Sequence, residues 1–155
     1  MNRYKQRGVS TVEFAIVALV LFMMIFAVIE VGRAFFVASA LDEASRRGAR
    51  MAAVCPVNDP AISQAAAFNN AVIPDLDAGD IAVEYLDAAG ATVGAPASAA
   101  GFMQINYVRV RIVGYQHQMF IPLLTVLGPF FMPEFATVLP RESLGIPRTG
   151  VITPC

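Results

Sequence analysis

The longest apolar stretch of the chain lies near its start, where the sixteen residues Phe14–Ile29 carry no polar side chain. Glu13 precedes this stretch and Glu30 follows it. As a helix the stretch would reach about 24 Å, which is less than the roughly 30 Å of a hydrocarbon core. Including the mostly apolar residues on either side gives Val9–Val31, which reaches about 34 Å. The pattern therefore predicts a transmembrane helix over 9–31 with a glutamate near one end.

The eight residues before this span, MNRYKQRG, carry three basic side chains and no acid. Positive charge beside a span favours the cytoplasmic side. We therefore expect a basic leader over 1–8, a cytoplasmic N-terminus and an exported region over 32–155. The charge difference across the span is reduced by four arginines that follow it within about 20 residues, namely Arg33, Arg46, Arg47 and Arg50.

The helical pattern continues beyond the span to about Val54, because Pro56 disfavours helical geometry in the residue ahead of it. One face carries acid-then-base pairs at a spacing of four, which is typical of a solvated surface: Asp42 with Arg46 and Glu43 with Arg47. The opposite face consists mostly of small residues at spacings of three and four, namely Ala38, Leu41, Ser45, Gly48 and Ala52. Small residues let another backbone come close, so this face could pack on the protein's own sheet or on another subunit.

Shorter elements are expected after the long helix. Asp59 and Pro60 are typical of an N-cap and a first helical residue, which predicts a second helix over 61–72. The small-residue run 94–101 predicts a mobile loop. The apolar run 122–133 is too short for a second span. It could form a buried return loop over the sheet, or an exposed apolar surface that binds a partner or lipid.

Three later segments favour β-strands. Residues 81–86 alternate in polarity and lead to a turn signal at Gly90. Residues 105–120 form the clearest strand, with Val108, Val110 and Ile112 on one face, and residues 134–139 could supply the last strand. The predicted fold class is α+β, with a long N-terminal helix that is transmembrane in its first half and packs on a small antiparallel sheet.

A more specific pattern joins the leader to the helix, in the order Arg7-Gly8-Val9-Ser10-Thr11-Val12-Glu13-Phe14. It resembles the processing site of type IV pilin-like proteins. The resemblance implies that a membrane-embedded prepilin peptidase cuts between Gly8 and Val9, and that Glu13 and Phe14 act in assembly. A charged carboxylate in lipid costs a few kcal/mol near the midplane and less near an interface. The new α-amino group of Val9 in a neighbouring subunit would be a partner for Glu13.

Over residues 7–53 the sequence resembles one group within this class, the TadE-like pseudopilins of tight-adherence (Tad, or Flp) pilus systems. Its motifs are Val12-Glu13-Phe14-Ala15, Glu30-Val31-Gly32-Arg33, and the pattern Glu43, Ala44, Arg47, Ala49-Arg50. One departure is Leu19, which stands where the family often carries a proline, so we expect a straighter helix. The resemblance implies a minor pseudopilin in pilus assembly, located in the bacterial inner membrane with its C-terminal domain periplasmic or extracellular. The implied partners are a prepilin peptidase, other pilins and pseudopilins, the pilus assembly platform and the membrane.

Two other interpretations of the N-terminus remain open. The triplet Ala38-Ser39-Ala40 could be a signal-peptidase site, which would release a secreted or periplasmic binding protein after Ala40. The span could also be an uncleaved anchor of a membrane-bound adaptor. Neither interpretation accounts for Gly8 or Glu13.

Composition and candidate chemistry argue against an enzyme. The chain has 155 residues, 57% of them hydrophobic and 15% charged, against roughly 45–50% and about 25% in soluble domains. Its net charge of −1 gives no positive electrostatic field that would attract nucleic acid. His117 is the only histidine and is expected on the surface or at a strand edge, while Glu84 and Asp87 lie on opposite faces of a strand. We expect no catalysis, cofactor, metal or small-molecule substrate.

The chain has two cysteines, Cys55 and Cys155. Both follow the span, so both would reach an oxidising compartment, where unpaired thiols are uncommon. A disulfide between them would close a loop of about 100 residues and could stabilise the fold by roughly 4–5 kcal/mol in the chain-entropy model. The alternative is a thiol in a frayed terminus.

Overall fold

The computed structural model describes residues 7–73, 75–120, 130–146, 150–152 and 154–155. The chain divides into two compact units. The first consists of Met1–Phe36 with Gln118–Phe130, and the second consists of Val37–His117 with Phe131–Cys155. A long helix and a small antiparallel sheet make the fold α+β, which confirms the predicted class.

Helix α1 (Arg7–Val54) dominates the first unit. Its large apolar side chains from Val12 to Phe36 are 43–75% exposed and point in all directions around the helix axis. A helix that is apolar on every side is typical of a membrane span. The most apolar window has a mean hydropathy of 2.9 and no buried residue, so the helix is long and apolar enough to cross a membrane. It continues without a break through Leu19.

The second unit contains the C-terminal part of α1, which ends at Val54 ahead of Pro56 as expected. The Arg46 side chain donates a hydrogen bond to Asp42 over 2.5 Å on the solvated face. The guanidinium of Arg47 lies 5.5 Å from the centre of the Phe68 ring. The face opposite these charged residues enters the hydrophobic core of this unit.

A three-stranded antiparallel sheet packs on that face, in the order β1 (Ile81–Leu86), β2 (Tyr107–Ile112) and β5 (Phe135–Pro140). Two short strands precede β5 in the chain, β3 (Gln116–His117) and β4 (Phe130–Phe131). The central strand β2 alternates as predicted, because Val108, Val110 and Ile112 are buried while Tyr107 is exposed. The sheet therefore has one apolar face toward α1 and one polar face.

Two predicted elements are shorter than expected. Helix α2 (Pro60–Ala66) has the expected N-cap, since the Ala61 N–H donates to Asp59. It ends early because Phe68, Asn69 and Asn70 adopt positive φ angles of 52°, 51° and 60°. Three consecutive left-handed residues cannot continue a right-handed helix.

The predicted strand 105–120 stops at Ile112 and resumes only as the two-residue β3. Gly114, with a φ of 76°, turns the backbone between them.

The expectation of a loop over 94–101 was also partly wrong, because helix α3 (Ala99–Gln104) begins inside this segment. The Ser98 hydroxyl accepts the Gly101 N–H at 3.0 Å and caps this helix. A Cβ atom at Gly101 would lie 2.0 Å from the Ala95 carbonyl oxygen, so this close turn requires glycine. In the apolar run 122–133, residues 122–129 lie outside the described part of the chain.

Candidate functional site

The expected processing site lies at the N-terminal end of the described part of α1. The helix is described from Arg7 onward, so the backbone of Gly8 and Val9 is helical.

Glu13 lies on the exposed surface of α1, and the neighbouring Phe14 side chain is 75% exposed. Within the described part of the chain, no hydrogen bond or ion pair reaches the Glu13 carboxylate. Glu13 follows Val9 by four residues, so the two positions lie on the same side of the helix. The carboxylate is accessible to a cationic partner from outside the chain.

Glu30, at the other end of the apolar stretch, is only 8% exposed. Arg33 donates a hydrogen bond from Nη1 to Glu30 Oε1 at 2.9 Å, and the Phe120 N–H donates to Oε2 at 3.2 Å. The Arg33 guanidinium lies 3.9 Å from the centre of the Phe120 ring, a cation–π contact. Sequence reasoning used Glu30 as the limit of the apolar stretch and as part of the Glu30-Val31-Gly32-Arg33 motif, but did not predict its pairing with Arg33. The i,i+3 spacing of Glu30 and Arg33 was an available signal for their pairing.

The small-residue face of α1 lies in the core of the second unit. Leu41, Ser45, Gly48 and Ala52 are buried, and Ala38 is half-buried. The hydroxyl groups of Ser45 and Thr137 share a hydrogen bond at 2.8 Å between α1 and β5. A Cβ atom at Gly48 would lie 2.9 Å from both Ala66 Cβ and Val110 Cγ1. The buried residues of this face therefore pack within the protein's own domain, against its sheet. This is the first of the two interpretations that the sequence allowed.

Residues 8–50 match the family model described as TadE-like protein. The match is to the N-terminal helix. It covers a little over a quarter of the chain and ends before the sheet begins. Similarity to this family indicates a protein associated with the Tad pilus. Searches of curated proteins and of solved structures gave no match.

Outside the TadE-like segment, the polar face of the sheet carries a charge network. Glu84 accepts hydrogen bonds from Arg109 Nε at 2.6 Å and Arg111 Nη2 at 2.5 Å, and Arg111 Nη1 also donates to Glu134 at 3.0 Å. Burial alone would raise the pKa of Glu84, but the two arginines outweigh it and lower this pKa. Asp87 instead accepts the Ala89 and Ala91 N–H groups within the turn after β1. Glu84 and Asp87 thus have separate structural roles.

His117 was expected at the surface or at a strand edge, and the surface expectation was wrong. The side chain is 3% exposed, because the two-residue strand β3 directs it into the protein. Alternation in so short a strand gives no periodic signal from which burial could be read. The described residues contain no group of three or more His, Cys, Asp or Glu side chains placed to hold a metal ion.

Cys55 and Cys155 form a disulfide with an S–S distance of 2.04 Å and a Cα–Cα distance of 5.7 Å. Cys55 is fully buried at the end of α1. The Cys155 N–H also donates to Asp59 Oδ2 at 3.2 Å, so the N-cap residue of α2 contacts the tail as well. The bridge therefore attaches the C-terminal tail to the end of the long helix.

Proposed function

We propose that this chain is a minor pseudopilin that takes part in assembly of a tight-adherence type IV-like pilus. A prepilin peptidase removes residues 1–8 by cutting after Gly8. The helix over 9–31 then holds the protein in the bacterial inner membrane, with the N-terminus cytoplasmic and residues 32–155 exported. Its partners are other pilins and pseudopilins and the pilus assembly platform. The observation that carries this proposal is the TadE-like match over residues 8–50.

The exposed carboxylate of Glu13 supports an assembly role. Burying an unpaired carboxylate in lipid costs free energy, and a cationic partner offsets part of this cost. Cleavage after Gly8 creates an α-amino group on Val9, and a neighbouring subunit can present this group to Glu13. Pairing of the two charges favours one axial position of adjacent helices over others, which sets the register of assembly.

The exported domain supports the same assignment through the disulfide between Cys55 and Cys155. Structural disulfides persist in oxidising compartments and are rare in the cytoplasm. The bridge lies on the C-terminal side of the span, which agrees with export of residues 32–155.

The alternative of a binding protein released after Ala40 has less support. Ala38, Ser39 and Ala40 lie within α1, and Val37 on their N-terminal side belongs to the hydrophobic core. Cleavage after Ala40 would remove the Val37 side chain from that core. Release would also remove most of the TadE-like segment from the mature protein.

The proposal is tested by the intact mass and N-terminal sequence of the protein from membranes of cells with and without the matching prepilin peptidase. We expect a start at Val9 only when the peptidase is present. A start at Leu41 would indicate secretion instead. An intact leader in both strains would indicate a simple anchor.

Assembly is tested separately with Glu13→Gln, which removes the charge and keeps the side-chain size. We expect cleavage after Gly8 to continue and pilus assembly to be lost, measured by sheared surface pili and surface adhesion. Glu142→Gln, at an exposed glutamate outside the segment that matches the family, is the matched control and should assemble normally. Normal piliation with Glu13→Gln would contradict the assembly role of this residue.

A further inference from the structure

Three exposed aromatic side chains mark the C-terminal end of the apolar helix. Phe35, Phe36 and Phe120 all belong to the first unit, and each is more than half exposed. We call these three residues the aromatic collar. Phe35 and Phe36 follow Arg33 on α1, and the Phe120 ring contacts the Arg33 guanidinium. Exposed apolar side chains that lie near one another mark protein or membrane interaction sites.

The collar lies beside the first charged residues after the apolar stretch. The Glu30 carboxylate is paired with Arg33 and bound by the Phe120 N–H, and the Phe120 ring lies over the guanidinium. The carboxylate and the cation therefore neutralise each other, and an aromatic ring covers the cation. Such an arrangement lowers the cost of placing Glu30 and Arg33 where water is scarce.

The length of α1 places the collar at a defined depth. From Val9 to Phe36 the helix measures about 42 Å, and a bilayer with its headgroup regions is about 40–45 Å thick. If Val9 lies at one surface, Phe35 and Phe36 lie in the headgroup region at the other. Phenylalanine side chains of interfacial segments enter the boundary between headgroups and acyl chains, and long arginine side chains extend toward it from the apolar region.

We propose that the aromatic collar is a membrane-interface surface, in which Phe120 enters the same phospholipid headgroup region as Phe35 and Phe36 and covers the Glu30–Arg33 pair. The chain then contacts the bilayer twice, through the span and through a residue ninety positions after Glu30. This proposal rests on the membrane span of the proposed function and is independent of pilus assembly. The bilayer is favoured as the occupant because the collar directly follows the exposed apolar surface of the span, and the charges of Glu30 and Arg33 between them are paired with each other.

The absence of tryptophan from the chain allows a direct test. Full-length variants carrying Phe120→Trp, Phe35→Trp or Phe22→Trp are each reconstituted in phosphatidylcholine vesicles brominated either near the headgroup or near the ends of the acyl chains. Phe22 lies in the middle of the span and is exposed, so it is the deep reference. Phe120→Trp retains an aromatic ring for the Arg33 contact.

We expect bromine near the headgroup to quench the emission of the Phe120→Trp and Phe35→Trp proteins several-fold more strongly than deep bromine does. The Phe22→Trp protein should show the opposite order. If Phe22→Trp is quenched by deep bromine and Phe120→Trp is quenched only by acrylamide in water, the collar proposal is overturned and the span remains. If lipid bromine does not quench Phe22→Trp, the span itself fails, and the proposed function fails with it.

A second measurement uses the unmodified chain in case Phe120→Trp disturbs the fold. The protein itself leaves Phe120 75% exposed. Hydroxyl-radical labelling in vesicles should therefore modify Phe120 several-fold less than labelling of the lipid-free protein does. Equal labelling of Phe120 in both conditions would overturn the proposal.

Discussion

Close packing of α1 on the sheet predicts that adding one methyl group at Gly48 destabilises the protein. The new Cβ would lie 2.9 Å from Ala66 Cβ and 2.9 Å from Val110 Cγ1, well inside normal van der Waals separation. Neither neighbour is the flexible end of a long side chain, because Ala66 ends α2 and Val110 is in the central strand. Relief therefore requires α1 to move away from the sheet.

Two opposing contributions set the expected magnitude for Gly48→Ala. Overpacking costs about 1–3 kcal/mol, and alanine is favoured over glycine in a helix by about 1 kcal/mol. We expect a net loss of about 1 kcal/mol from the free energy of unfolding. With a urea dependence of about 1–3 kcal/mol per molar, the unfolding midpoint falls by about 0.5 M.

The assay is urea unfolding in detergent micelles, followed through tyrosine fluorescence, to which the buried Tyr85 contributes. Gly79→Ala is the matched control, because nothing lies within 4 Å of its new Cβ and its φ is ordinary. It should be neutral or stabilising by about 0.4–1 kcal/mol. If Gly48→Ala were as stable as the Gly79→Ala protein, the reasoning from close packing would be refuted.

Two further predictions concern the second unit. Cys155→Ser should lower the free energy of unfolding by up to about 4–5 kcal/mol, because the unfolded chain is no longer closed into a loop. Thermal melts of the wild type and the variant, with and without reductant, measure this loss. Identical melts of the two proteins would count against the bridge. Because Arg109 and Arg111 lower the pKa of Glu84, the folded protein gains stability above the unfolded pKa of about 4.3 and loses it as the pH falls through the folded pKa. The stability difference between wild type and Glu84→Gln should therefore shrink below about pH 4, as measured by urea unfolding across pH; a difference that does not change with pH would exclude this role of Glu84.

The elements that the sequence predicted well are those with a long continuous or periodic signal. The sixteen apolar residues Phe14–Ile29 predict a long apolar helix, and the alternation of Val108, Val110 and Ile112 predicts which face of a strand is buried. The errors fall where one or a few backbone angles decide the outcome. Gly114 ends a predicted strand, and the left-handed residues after Ala67 end a predicted helix.

The candidate site divides in the same way. Gly8 and Glu13 could be selected because they belong to one short continuous motif, whose match to the family extends from residue 8 to 50. The contact of Phe120 with Glu30 could not be predicted, because the two residues are ninety positions apart and neither carries a motif that pairs them. Burial of His117 also depends on tertiary packing, which its local sequence does not encode.

The disulfide between Cys55 and Cys155 has a mechanical consequence. It closes the polypeptide between these residues, sheet included, into a covalent ring attached to the end of α1. A tension applied between the helix and the tail passes through the sulfur atoms, so it does not pull apart β1, β2 and β5. A single proteolytic nick within the ring also leaves both fragments joined. The sheet is thereby protected from a pull between the helix and Cys155.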